Sequence, residues 1–337
     1  MELMLYHVAR ALVASLQALP LRWVARLGRG GGALAYWLDA RHRRVTLRNL
    51  ALCFAGEKTS AQLRALAREN FRRIGENFAC AAKTASMSLE ELRPHVEFVA
   101  PSLLRPAPAG QAPQGVVAAI GHFGNFELYA RFGQFAPGYK SATTYRGLRQ
   151  DSLNRLLQSL RERSGCVYFE RRFEGAALRT FMKQPGVILG LLADQHAGDA
   201  GLRLPFLGHD CSTSAAPAVF ALRYHCTLLT GVCYRVGLAR WRIEAGADIP
   251  THENGEPRSK EAIMLDVNRA FEAAVRRDPA NWFWVHNRWK ASLKSQVQNP
   301  KSKVQDPESQ VSDLKSQEEV PKPQVHSAEA ARVEDRG

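Results

Sequence analysis

Between residues 116 and 235 the chain alternates short apolar runs with segments of helical spacing, and this alternation limits its fold more than any other feature. The run "VVAAI" at 116–120 leads into a helical pattern near 126–133, and a strand ending near Tyr145 leads into another at 151–163. "CVYF" at 166–169, "GVILGLLA" at 186–193 and "LLTGVCYR" at 228–235 read as further strands, separated by helical patterns near 175–183 and 214–224. Strands joined through helices build a central, mostly parallel sheet flanked by helices, so the fold class is α/β. Helical spacing also covers 60–83, with Ser60 placed to cap it, and about 260–277.

The two ends differ from this body. An apolar helix runs from residue 1 to 19 and stops at Pro20. The following stretch, to residue 54, sets arginines around Trp23, Tyr36 and Trp37. Such a segment suits either a helix lying on a bilayer or an amphipathic helix packed on the domain. The uncharged run 11–21 is shorter than the ~20 residues a spanning helix needs, so the N-terminus is expected to lie on a membrane and not to cross it. At the other end, residues 294–328 repeat in sevens ("KSQVQNP", "KSKVQDP", "ESQVSDL"), with too few apolar residues for a coiled-coil seam and with recurrent proline. The expectation is a disordered tail over 291–337. The remainder divides into membrane-associated helices, 1–45, and a catalytic body, 46–290.

The net charge is +14; residues 291–337 hold 7 basic and 8 acidic residues, so 1–290 carries +15. That surplus calls for an anionic partner: a membrane surface, an acidic carrier protein or nucleic acid. The arginines are dispersed and match no nucleic-acid motif, which removes the last. Six cysteines without paired spacing read as free thiols and imply no metal site.

Chemistry concentrates in "GHFGNFE", 121–127. Gly121 and Gly124 let the chain turn where a strand ends, with Asn125 free to cap the next helix, and His122 is left at the carboxyl edge of the sheet, where α/β folds bind ligands. An imidazole there, steadied by a carboxylate, suits proton abstraction from an alcohol. Glu127 is one such carboxylate and Asp194, at the end of the most apolar strand, is a second. No Gly-x-Ser-x-Gly elbow is present, and no cysteine has a basic partner, so a covalent nucleophile is disfavoured.

"GHFGNFE" resembles the His-x-x-x-x-Glu block of the bacterial lipid A biosynthesis acyltransferases, the lauroyl and myristoyl transferase family within the lysophospholipid acyltransferase superfamily. Four further segments resemble that family's blocks in order: "TLRNLALCF", "TTYRGLRQDSLNRLLQSLRERSG", "LLADQHAGDAGLRLPFLGHDCSTSAAPAVFAL" and "NWFWVHNRWK". The resemblance implies a lysophospholipid acyltransferase-like fold and transfer of an acyl group from acyl carrier protein, or coenzyme A, to a hydroxyl of a lipid A precursor. It implies no cofactor. It gives His122 as base with Glu127 as its partner, and assigns Arg146, Asp194, Gln195, Thr213 and Arg288 to substrate binding. Arg288 would face lipid head groups, unless the tryptophans around it are core. The expected location is the cytoplasmic face of the bacterial inner membrane. A glycerophospholipid, a phosphatidylinositol mannoside or another glycolipid is the alternative acceptor, and a noncatalytic membrane-associated scaffold the alternative of another class.

Overall fold

The computed structural model describes residues 2–54, 56–100, 108, 110–136 and 138–290, so the repeat tail expected to be disordered lies outside the described residues. Four helices come first: α1 (Glu2–Ala18), α2 (Leu21–Leu38), α3 (Ala40–Phe54) and α4 (Ser60–Thr84). A short α5 (Leu89–Leu92) leads to β1 (Val96–Val99) and β2 (Val116–Ile120), and a 3-10 helix, Phe126–Gln134, to β3 (Lys140–Tyr145). Then come α6 (Asp151–Arg161), β4 (Val167–Glu170), α7 (Gly175–Phe181), β5 (Val187–Leu192) and the hairpin of β6 (Leu202–Phe206) with β7 (His209–Thr213). α8 (Ala216–Tyr224), β8 (Thr227–Gly237), β9 (Arg240–Ile249), the two-residue strands β10 (His252–Glu253) and β11 (Glu256–Pro257), and α9 (Lys260–Arg277) follow, with short 3-10 turns at Glu162–Ser164 and Pro279–Asn281.

Seven strands form one sheet in the order β1-β9-β8-β2-β5-β3-β4. Every neighbouring pair is parallel except β8 with β9, so the sheet is mostly parallel and flanked by helices. The chain leaves β2 toward β3 on one side, whereas it leaves β5, the neighbour of β2, toward β8 on the other. Connections that diverge from adjacent strands open a crevice at their carboxyl ends. One sheet face, including Val117, Ala119, Leu189 and Leu191, joins α8 and α9 residues such as Ala218, Ala221, Val267 and Phe271 in the main core. That burial leaves the opposite face for a ligand.

α2 resolves the alternative posed by its arginines and aromatics. It packs closely on α4, because a Cβ at Gly32 would lie 2.1 Å from the Phe71 carbonyl oxygen and one at Gly75 would lie 2.2 Å from that of Gly28. The other side of the helix exposes Trp23, Leu27, Leu34, Trp37 and Leu38. The helix is therefore both packed and apolar outward. Among the described residues no helix is long and apolar enough to cross a membrane. The domain boundary drawn at residue 45 falls inside α3, and the described residues belong to one compact unit, Met1–Val297.

Two expected caps differ. α4 is capped by Thr59, not Ser60, through a reciprocal box in which the Gln62 amide donates to Thr59 Oγ1 and the Thr59 amide to Gln62 Oε1. Asn125 makes no capping bond, and its side-chain nitrogen and oxygen are both buried without a partner.

The C-terminal stretch is held from the N-terminal helices. Asn49 of α3 donates to the carbonyls of Trp284 and His286, and Asn70 of α4 donates to those of Ala280 and Trp282. Unpaired, each of those buried carbonyls would cost about 1–3 kcal/mol, so the two asparagines fix this segment against the sheet.

Candidate active site

β2 ends at Ile120 and β5 at Leu192, and these two residues face each other in the parallel register. His122 and Asp194 each follow two residues later, which puts them side by side at the crevice. His122 Nδ1 lies 2.8 Å from Asp194 Oδ1, and the His122 amide donates to Asp194 Oδ2 at 2.8 Å. Trp282 Nε1 adds a third donor to the same oxygen, also at 2.8 Å. The turn that permits this needs Gly124, whose φ is +51° and whose Cβ would lie 2.5 Å from the Cys233 carbonyl oxygen.

The electrostatics favour an ionised Asp194. Burial pushes its carboxyl up, but the attraction of His122 and the hydrogen bonds from His122 and Trp282 outweigh burial and hold it below the ordinary carboxylate range. With Nδ1 donating to this carboxylate, the lone pair of His122 is on Nε2. The ring lies against Phe126 and Phe283, with centroids 4.9 and 6.0 Å away.

Glu127 is elsewhere engaged. It opens the 3-10 helix, and its carboxylate meets Arg161 of α6, Oε1 to Nη2 at 2.9 Å and Oε2 to Nε at 3.3 Å. Arg161 in turn is flanked by the rings of Tyr145 and Tyr168, at 5.7 and 4.8 Å. The expected His122–Glu127 hydrogen-bonded pair is therefore corrected to His122–Asp194. The physical reason is that strand register, and not the five-residue spacing, decides which carboxylate reaches the imidazole. Glu127 still lines the same cleft as His122.

The cleft has a volume of about 750 Å³ and is walled by one face of the sheet. Ala118, Gly190, Leu229 and Ala245 belong to its floor, each from a different strand, and Arg146 and Gln195 to its wall. Arg146 is exposed and has no hydrogen bond or ion pair among the described residues. Its guanidinium is free to meet an anion. Cys166 also lines the cleft, but burial pushes its thiol up to about 12, which leaves no thiolate for covalent chemistry. Among the described residues no three His, Cys, Asp or Glu side chains gather as a metal cradle would require.

Two expected substrate contacts are corrected by burial. Arg288 is 0% exposed and faces no headgroup. It donates to the carbonyls of Gln195 and Ser212 and to Thr213 Oγ1, tying the segment after β5 to β7, and stacks over Phe206. Thr213, equally buried, accepts from Arg288 and from Asn268. Both shape the wall from behind. Trp282, Trp284 and Trp289 are buried in the main core.

His286 was not among the expected site residues, although it stands inside the quoted "NWFWVHNRWK". It lines the same cleft as His122, and its Nε2 accepts the His196 amide at 2.9 Å.

A family model described as bacterial lipid A biosynthesis acyltransferase matches residues 3–291. No curated protein matches the chain.

Proposed function

The chain belongs to the bacterial lipid A biosynthesis acyltransferase family and is an O-acyltransferase, and from that premise we propose that it moves a fatty acyl group from a thioester to a hydroxyl of a phosphorylated lipid A precursor. The observation that carries this reading is an ionised, buried Asp194 aligning His122 at an apolar cleft. Nε2 of His122 takes the proton of the acceptor hydroxyl as its oxygen attacks the thioester carbonyl. Asp194 steadies the imidazolium that forms. When the tetrahedral adduct collapses, the carbon–sulfur bond breaks and the departing thiolate recovers the proton from His122.

Substrate placement follows from the cleft's lining. The apolar sheet face accepts the acyl chain, and Arg146 meets an anionic group of donor or acceptor through its planar donor fork. Acyl carrier protein is the favoured donor, because an acidic carrier is steered toward a body of charge +15. The exposed apolar residues of α1 and α2 support attachment to the surface of the inner membrane, where a lipid acceptor resides.

The test is acyl transfer by the purified protein to a phosphorylated glycolipid precursor, followed by mass spectrometry, with carrier-bound and coenzyme A thioesters compared at low salt. A mass increase of one acyl group is expected, faster with the carrier. Transfer to glycerophospholipid but not to the glycolipid would overturn the acceptor assignment.

A further inference from the structure

Attack on a thioester gathers negative charge on the carbonyl oxygen, and an enzyme must offer it a donor already in place. The glycine turn cannot supply one from its first amides. The His122 amide donates to Asp194, the Phe123 amide to the Gly121 carbonyl and the Gly124 amide to the Asn281 carbonyl. With those three amides committed, a side chain on the cleft wall is the natural place to look for the donor.

We propose that His286 is that donor, a second catalytic residue whose Nδ1–H binds the carbonyl oxygen of the thioester as it becomes an oxyanion. This role rests on the acyl-transfer reading above. The tautomer follows from one hydrogen bond: Nε2 accepts the His196 amide at 2.9 Å, so the proton of the neutral ring is on Nδ1. Nδ1 has no hydrogen-bond partner within the described residues and is not among the occluded polar atoms, while His286 is a lining residue of the cleft. The backbone beneath is fixed, since the His286 carbonyl accepts from Asn49 Nδ2 at 2.8 Å.

The ring stays neutral in use. Burial, with Arg288, His122 and His196 around it, lowers the His286 pKa to about 4 against the single opposing pull of Asp194. A neutral imidazole can polarise a carbonyl without surrendering its proton. In the transfer step the acceptor O–H proton passes to His122, the acceptor oxygen bonds to the carbonyl carbon, and the C=O π pair moves onto the oxygen. That oxygen accepts the hydrogen bond from Nδ1, the proton staying on nitrogen. Return of the pair expels the thiolate, which takes its proton from His122.

Arg161 is the competing donor. Its Nη1 is buried without a partner, but its other nitrogens are committed to Glu127 and the guanidinium is packed between Tyr145 and Tyr168, whereas His286 shares the electrostatic surroundings of His122 and Asp194.

Infrared difference spectroscopy on the full-length chain decides between them. Dodecanoyl-coenzyme A labelled at its carbonyl is bound to His122→Ala without acceptor, so that it is not consumed during the measurement. The carbonyl stretch should drop below that of the free thioester and return when His286→Phe is added. With His122 intact, His286→Phe should lose ~10²–10³-fold in kcat with KM within a few-fold, the cost of one missing oxyanion donor. His286→Gln, which keeps an N–H, should recover part of both signals, and equal melting temperatures exclude misfolding. A stretch unchanged by His286→Phe, or one that follows Arg161→Gln instead, overturns the assignment while leaving acyl transfer standing. A wild-type chain that binds no thioester overturns both together.

Discussion

His122 and Asp194 are joined twice, through the ring at Nδ1 and through the backbone amide, each bond 2.8 Å long. The double attachment makes the imidazole and the carboxylate one unit. Their variants should then fail to add: His122→Ala should lose ~10²–10⁴-fold in turnover, Asp194→Asn a comparable factor, and the double variant little more than either. Glu127→Gln and Arg161→Gln should form a second non-additive pair, because each leaves the other's charge on the cleft wall uncompensated. Steady-state kinetics on the two cycles checks both statements. Multiplicative losses for His122 and Asp194 would dissolve the unit.

That pairing marks the limit of what could be read from the chain alone. The strand at 116–120 and its glycine turn were legible, since an apolar run and two glycines declare themselves locally, and the parallel sheet followed from alternation. Choosing Asp194 over Glu127 required knowing that β5 lies beside β2 in register, Ile120 against Leu192, and no local pattern encodes that neighbour. β9 was missed although its polar–apolar alternation is a strand pattern, because it follows β8 directly through a tight reversal at Ala239, whose φ is positive, and so breaks the strand–helix alternation. Arg288 looked like a ligand-binding cation because sequence gives residue type without depth. His286 was passed over for a similar reason, as its meaning depends on the His196 amide that faces it.

Acid should loosen the fold through His286. Its ordinary value is 6.5 and burial lowers it to about 4 in the folded chain. Between those values the unfolded chain binds the proton and the folded chain does not, so stability is full above the upper value and falls as pH drops toward the lower. His196, also lowered chiefly by burial, acts in the same direction. Asp194 works in a different window: its depressed carboxyl stabilises the fold above 3.8 and loses that contribution only as pH falls further. Thermal melts from pH 7 to 4 should show a smaller decline for His286→Gln than for the wild type. An unchanged decline would mean that His286 is protonated in the fold.

The four glycines of "GRGGG", residues 28–32, are not equivalent, and alanine should separate them. A Cβ at Gly32 would lie 2.1 Å from the Phe71 carbonyl oxygen, which belongs to the backbone of α4 and cannot move aside cheaply. Gly32→Ala should cost ~1–3 kcal/mol or more by forcing α2 and α4 apart. At Gly31 nothing lies within 4 Å, so Gly31→Ala gains helix propensity of about 1 kcal/mol with no clash. Denaturant melts of the two variants should move in opposite directions. A destabilising Gly31→Ala would argue that the exposed face of α2 is covered by something else in solution.

The exposed face of α2 is expected to meet an anionic membrane surface. Trp23 and Trp37 are 57% and 63% exposed, which is unusual for residues that would bury most of their area in water-soluble packing. Each also carries a cation, Arg26 over Trp23 at 5.1 Å and Arg68 over Trp37 at 5.4 Å. Tryptophan beside arginine suits the headgroup layer of an anionic bilayer, where the indole sits at the interface and each basic residue contributes ~1 kcal/mol. Residues 1–50 hold 8 arginines against Glu2 and Asp39, so attraction to phosphatidylglycerol vesicles should exceed that to phosphatidylcholine and weaken with salt. Because both indoles are mostly exposed and lie outside the buried core, Trp23→Ser with Trp37→Ser should leave the melting temperature within a few degrees while releasing the protein from vesicles. Cosedimentation measures the loss, and acyl transfer to a detergent-dispersed acceptor should persist in the same variant. Full retention on anionic vesicles would move the attachment to another surface of the molecule.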